Sequence, residues 1–176
     1  GLVTMQDQMY DSVPSQVIEE DQDYVATIRT SKGDLVVDLF DDEVPTNVNN
    51  FAFLAQDGWY DGLDFFFVDH EQVALTGDPT NSGSALPYPG YTCGDETTPD
   101  ISFDEAGMLA LYTRAPNQNS SSFFINYVPQ PDFTGSFTII GEVTEGMDVA
   151  ESLTARQPGP DQPEPDVIET IVIEEE

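Results

Sequence analysis

The chain has 176 residues and carries 34 acidic side chains against 4 basic ones, a formal net charge of −30 at pH 7. Charge of that sign and size repels nucleic acid and anionic lipid headgroups, which excludes nucleic-acid binding, while the length suffices for one globular unit with a real core. Cys93 is the single cysteine, so no internal disulfide and no Cys-rich metal site can form, and no apolar run reaches the length of a membrane span.

Gly1-Leu2-Val3 lacks the basic start and long apolar stretch of a signal peptide. The polar lead-in Gln6 to Asp23, with Glu19-Glu20-Asp21, reads as an acidic spacer over residues 1–22 ahead of a domain at 23–176. A spacer of that kind suits a domain tethered to an envelope surface, and an extracytoplasmic location is the expectation, with the cytoplasm of a halophile as the alternative. Tyr24–Thr30 and Asp34–Phe40 are rich in β-branched residues and flank the turn-forming trio Ser31, Lys32 and Gly33, which predicts an antiparallel hairpin. From Val44 to Asp57 the period changes: Val48, Phe51, Ala52 and Ala55 recur at helical spacing, Pro45 and Thr46 suit a first turn, and Gly58 supplies a stop. Short apolar runs follow at Phe65–Val68, Val73–Leu75, Met108–Tyr112, Phe123–Tyr127 and Phe137–Val143, punctuated by Gly, Pro or Asp. Met147, Ala150 and Leu153 share one face of a short second helix over Gly146–Leu153. The prolines of Gln157–Pro165 remove donors and fix φ, so that segment is a surface connection before a closing strand at Val167–Ile173. Glu174-Glu175-Glu176 reads as a frayed, charged end. Periodicity by itself therefore reaches a mostly-β fold with two helices.

Two stretches carry more. Tyr60-Asp61-Gly62-Leu63-Asp64-Phe65-Phe66-Phe67-Val68 closes with Gly77-Asp78-Pro79, and Gly107-Met108-Leu109-Ala110 leads into Ala115-Pro116-Asn117-Gln118-Asn119-Ser120-Ser121-Ser122-Phe123-Phe124-Ile125. Together with Val44–Phe51 and Gly141–Val149 they resemble the cyclophilins, the peptidyl-prolyl cis-trans isomerases, over roughly Tyr24 to Ile173. The resemblance implies a closed antiparallel β-barrel of about eight strands capped by two α-helices.

An X-Pro bond is held planar by amide resonance behind a barrier of about 18–20 kcal/mol, and catalysis means stabilising the twisted bond. A fixed cation beside the pyramidal nitrogen does so selectively, while an apolar pocket grips the ring. Cyclophilins supply the cation as the arginine of a Phe-His-Arg-Val segment; the matching residues here are Phe65-Phe66-Phe67-Val68, with Phe67 in the arginine slot. By the same resemblance Leu75 stands in the groove glutamine's place, Gln72 and Val73 in those of a phenylalanine and a methionine, and Thr113 in that of an asparagine. Asp132 replaces a tryptophan, Phe133 a leucine and Phe137 a histidine, whereas Phe124 keeps the pocket phenylalanine. Tyr112-Thr113-Arg114 takes the place of an Ala-Asn-Ala segment, and Arg114 is the one candidate to stand in for the missing arginine, though its guanidinium would approach from a different wall of the implied groove. The catalytic slots at Phe67, Leu75, Thr113 and Phe137 are thus without their usual groups. The expectation is a protein-binding or structural module for proline-containing segments, descended from an isomerase; an active isomerase with a diverged groove is the alternative.

Other readings of the same residues are plainer. Phe65-Phe66-Phe67 taken alone fits a strand buried on both faces; in the family context at least one ring faces the groove, filling it or lining it. Asp69-His70-Glu71 gathers an imidazole and two carboxylates but lacks further ligands, Asp41-Asp42 has no EF-hand spacing, and neither is expected to hold a metal. Asn119-Ser120-Ser121 matches a glycosylation pattern yet reads as loop hydrogen bonding. No cofactor is expected. The spread acidity reads as a solvated surface of halophile type, with a docking face for basic partners as the alternative.

Overall fold

A computed structural model describes residues 10–80 and 89–176. Strands β1 (Tyr24–Thr30) and β2 (Gly33–Leu39) form the predicted hairpin, in register from Val25 opposite Asp38 to Thr30 opposite Gly33. The Thr30 hydroxyl closes the turn, accepting from the Lys32 N–H at 3.1 Å and donating to the Gly33 carbonyl at 2.8 Å. Helix α1 (Pro45–Gln56) follows, with Pro45 in its first turn where a missing N–H costs nothing. Its N-cap residue, Val44, has no side chain able to cap. Glu96 does that work from a distant loop, accepting from the Asn47 N–H at 2.7 Å and the Thr46 N–H at 3.3 Å, where a carboxylate also suits the helix dipole.

Six further strands are β3 (Phe67–Val68), β4 (Val73–Thr76), β5 (Met108–Leu111), β6 (Phe123–Asn126), β7 (Ile139–Glu145) and β8 (Ile168–Glu175), with helix α2 (Met147–Ser152) before the last. Residues 157–164 are exposed and lie outside both helix and strand, as their prolines dictate. The strands join one antiparallel sheet in the order β3-β4-β6-β5-β7-β2-β1-β8. Here the expectation of a closed barrel needs correction: the sheet is an open, curled half-barrel with β3 and β8 at its ends. Among the described residues the seam is spanned by two isolated bridges, Asp64 to Val167 and Val68 to Arg156, with added bonds from the Gly62 and Phe65 N–H groups to the Ile168 and Asp166 carbonyls and from the Ile168 N–H to the Leu63 carbonyl. The cause is local, because β3 is two residues long and Pro158, Pro160, Pro163 and Pro165 leave the facing segment without the donors a ladder needs.

The main core lies between the concave side of the sheet and α1. Phe51, Leu54, Trp59, Tyr60, Phe65 and Phe123 are fully buried in it, and Phe123 meets Phe51 and Tyr60 edge to face at 5.6 and 5.4 Å. The stretch read as a spacer packs on the same body over its described part. Ile18 is buried in the core, the Val17 and Ile18 N–H groups donate to the Asn49 side chain at 2.7 and 3.2 Å, and Tyr10 meets Phe53 edge-on at 5.5 Å.

Burial pushes the carboxyls of Asp38, Asp41 and Asp64 above the ordinary value of 3.8; Asp23 adds to the shift at Asp38, Asp42 to that at Asp41, and Arg156 opposes it at Asp64. Each binds its proton more tightly folded than unfolded, so the stability it contributes is fully present below 3.8 and is lost as pH rises through the raised folded values. The melting temperature should therefore climb as pH is lowered through these raised folded values toward 3.8. It should also climb with added salt, which screens repulsion within a chain of charge −30. Thermal melts over a grid of pH and sodium chloride check both, and a flat salt response removes the halophile-type reading.

Candidate functional site

Side chains on a strand alternate between faces, and three neighbouring strands use that alternation to build a second apolar surface. In β4, Ala74 enters the main core while Val73 and Leu75 face the other way; in β6, Phe123 and Ile125 enter it while Phe124 does not; in β5, Leu109 and Leu111 enter it and Ala110 faces outward. Because Phe67 pairs with Leu75, Leu75 with Phe124, Phe124 with Ala110 and Ala110 with Ile139, these residues form one row on the convex face.

Loops then wall the row in. Phe124 is 2 % exposed and stacks on Phe103 at 5.8 Å; Phe137 meets it edge-on at 5.2 Å and Phe133 at 6.1 Å. Tyr112 lies parallel to Phe137 at 6.3 Å, and Phe133 touches Phe137 at 5.4 Å. Phe133 is carried by a short 3-10 turn over Pro131–Phe133, which is tied to the Phe103 loop by a Thr134 hydroxyl accepting from the Phe103 N–H at 3.0 Å and by the Gln130 N–H donating to the Phe103 carbonyl at 2.8 Å. Between these walls remains a cavity of about 360 Å³.

Phe67, Gln72, Val73, Leu75, Tyr112, Arg114, Phe124, Phe133 and Phe137 all line it, so the structure brings together most of the residues singled out from the sequence. Two stand apart. Thr113 is buried, with its hydroxyl turned to the Ala115 carbonyl at 2.8 Å, and exposed Asp132 lies on the 3-10 turn beyond the lining. Phe66 and Phe67 both line the cavity and neither fills it. Pro158, at the rim, and Phe103, beneath Phe124, escaped the sequence reading. Pro158 arrives through Arg156, whose guanidinium donates to the Phe66 carbonyl at 2.9 Å and the Pro163 carbonyl at 3.1 Å while its backbone bridges Val68. Phe103 had one signal, the alternation of Ile101 and Phe103, but it sits outside any strand.

Chemically the cavity is an aromatic slot. Among the described residues that line it, only Gln72, Arg114 and the Tyr112 hydroxyl offer polar side-chain groups. Such a surface can desolvate a compact apolar ring and hold it by edge and face contacts. Elsewhere, the His70 ring leans on Tyr127 at 5.0 Å and the Asp69 carboxylate accepts from the Glu71 N–H at 2.9 Å, so the turn between β3 and β4 is occupied with its own bonding. Among the described residues no group of three or more His, Cys, Asp or Glu is placed to hold a metal ion. Asn119 is fully buried and donates to Asp95 at 2.8 Å, which accounts for the Asn-Ser-Ser pattern as loop bonding. A larger cleft of about 580 Å³ runs between residues 13–21 and the start of α1, lined by Glu19, Glu20, Asp21, Asp41 and Asp42 among others.

Four similarities to known proteins place the fold that carries this slot. The family model for cyclophilin type peptidyl-prolyl cis-trans isomerases matches residues 25–174. The chain is 35 % identical over 135 residues to the peptidyl-prolyl cis-trans isomerase CYP18-1 of Arabidopsis thaliana, covering 76 % of this chain and 84 % of that one. It is 35 % identical over 150 residues to peptidyl-prolyl cis-trans isomerase-like 1 of Aspergillus oryzae, covering 83 % and 93 %. The crystal structure of a Cryptosporidium parvum cyclophilin type peptidyl-prolyl cis-trans isomerase, in the presence of the dipeptide Ala-Pro, superposes with a TM-score of 0.78 at 28 % identity over 85 % of this chain and 98 % of that one.

Phe124 is the hub of the slot, so Phe124→Ala should cost about 3–5 kcal/mol of stability. Phe137, half-buried at the wall, should cost less than about 2 kcal/mol on truncation to Ala. Urea unfolding of the two variants beside the parent checks the order, and equal losses would mean that the wall and the floor are one packing unit.

Proposed function

The chain belongs to the cyclophilin-type peptidyl-prolyl cis-trans isomerase family, and from that premise we propose that the aromatic slot is a groove for proline-containing segments of peptides or partner proteins, acting as a binding module with little isomerase turnover. The observation that carries this reading is Phe67. By family resemblance it occupies the arginine slot, and its ring belongs to the apolar cluster around Phe124 instead of presenting a charge. A neutral ring offers a pyramidal prolyl nitrogen nothing it does not equally offer the planar amide, so the twisted bond gains no selective stabilisation there. Leu75 and Phe137 extend the same change along the floor and wall, while Thr113 spends its hydroxyl on the Ala115 carbonyl. Proline binding survives these changes because it depends on area and shape, which Phe124, Phe133 and Tyr112 provide.

An active isomerase is the second reading. The relatives bear isomerase names, and a slot this apolar excludes water, which weakens amide resonance without any cation.

The two readings separate in one assay. With capped X-Pro tetrapeptides the parent chain should not raise the cis-trans rate above background, while chemical-shift changes on titration should cluster around Phe124 and Phe137. Phe67→Arg should raise the rate less than about tenfold, because one restored electrostatic contact of a type worth about a hundredfold acts among absent partners. Turnover by the parent that vanishes when the slot is blocked by Phe124→Trp would replace the binding reading with the active one.

A further inference from the structure

Arg114 is a charge in an otherwise neutral slot. It lies on the lining beside Tyr112, in a chain with only three other basic residues, and none of those lines the cavity. Arg156 is committed to the Phe66 and Pro163 carbonyls. Arg29 and Lys32 belong to the β1–β2 hairpin. Arg114 itself is exposed, and among the described residues its guanidinium makes no hydrogen bond or ion pair.

Its backbone is nevertheless held. The Tyr112 N–H donates to the Ser122 carbonyl at 2.8 Å, and the Thr113 hydroxyl donates to the Ala115 carbonyl at 2.8 Å while accepting from the Ala115 N–H at 3.3 Å. Thr113 thereby spends its side chain on fixing the turn from which Arg114 projects. Tyr112, stacked on Phe137, fixes the wall beside it.

Position in the sheet decides what the guanidinium can reach. Arg114 follows β5, and Phe67 lies on β3; with β4 and β6 between, the two strands are three spacings apart, about 14 Å. Backbone spacing thus sets the base of Arg114 away from Phe67, although both side chains line the one cavity. Phe124, on β6, is only one spacing from β5, about 4.8 Å, and an extended peptide advances about 3.3 Å per residue. A proline seated on Phe124 leaves the side chain one or two positions along within reach of Arg114.

From this arrangement we propose that Arg114 is a specificity-determining residue, selecting proline segments that carry a carboxylate two residues before the proline or one residue after it. The inference rests on the slot being a peptide groove. Arginine's planar fork pairs a carboxylate at two points, which gives the contact direction as well as charge. The net charge of −30 opposes an acidic ligand at long range, but that term is screened beyond about 8 Å at physiological salt whereas contact with the guanidinium is not.

The test is calorimetric titration of the full chain with capped Gly-Glu-Ala-Pro-Ala-Gly and Gly-Ala-Ala-Pro-Glu-Gly, each beside its Gln and Lys analogue. At one of the two positions the Glu peptide should bind about tenfold more tightly than the Gln peptide, the scale of one charge-assisted contact. Arg114→Ala should erase that ratio without lowering the melting temperature, and Arg114→Glu should turn the preference to the Lys peptide. Equal binding of Glu and Gln peptides at both positions, or a preference that persists in Arg114→Ala, overturns the assignment while leaving the groove in place. Failure of every peptide to bind, the Gln forms included, overturns the groove and the assignment with it.

Discussion

Strict alternation along β4, β6 and β5 decides both what this chain buries and what it can offer to a ligand. Ala74, Phe123, Ile125, Leu109 and Leu111 close the main core, and their immediate neighbours Val73, Leu75, Phe124 and Ala110 are thereby committed to the opposite face. A slip of one residue would exchange the two sets, so the core enforces the register that the slot requires. The apolar row on the convex side would be an open patch on a bare sheet. Phe103, Phe133, Phe137 and Tyr112 fold over it and leave a slot in place of a flat surface.

Behind Phe124 a set of buried polar contacts ties the strand to the helix. The Tyr60 hydroxyl donates to the Ser121 carbonyl at 2.9 Å, the Asn50 amide to the Ser120 carbonyl at 2.9 Å, and the Ser121 hydroxyl to the Gly77 carbonyl at 2.7 Å. Gly77 has φ +84°, and a Cβ there would stand 2.5 Å from the Ser121 carbonyl oxygen, so glycine is required on both counts. Glu96 caps α1 while its own N–H donates to the Thr138 hydroxyl at 3.0 Å, which links the helix start to the entry of β7 beside Phe137. Every one of these contacts lies outside the lining of the slot. The scaffold can therefore keep its shape while the lining changes, which is the physical content of a fold outlasting a particular site.

The hairpin, both helices and all six later strands were legible in the sequence within a residue or two, because period and turn residues are local signals. The seam was not. Whether the two ends of the sheet close through a ladder or through isolated bridges beside β3 and β8 depends on where the proline-rich run lies in space, and no local pattern encodes that. The slot was legible chiefly through family resemblance: Phe67, Leu75, Phe124 and Phe137 came from matched motifs, and the structure brings them together across strands 57 to 70 positions apart at the extremes of Phe67 against Phe124 and Phe137. Thr113 and Asp132 show the limit of such matching, since a slot in an alignment says nothing of which way a side chain turns. Ile18 and Tyr10 make a similar point for the lead-in, where an acidic composition conceals two apolar anchors.

On the proposed reading a groove loses its chemistry and keeps its grip, and the two have different physical origins. Burial energy scales with area, and a proline ring has nearly the same apolar area whether the bond before it is flat or twisted. A slot walled by Phe124, Phe133, Phe137 and Tyr112 would therefore hold both forms about equally, which on that reading strengthens binding without lowering the barrier between them. Only a group that responds to the nitrogen lone pair distinguishes the two, and that response falls off within a hydrogen bond's length. Arg114 has the charge for it but stands across the sheet from Phe67, so on the proposed reading its charge acts on the sequence around the proline and not on the prolyl bond.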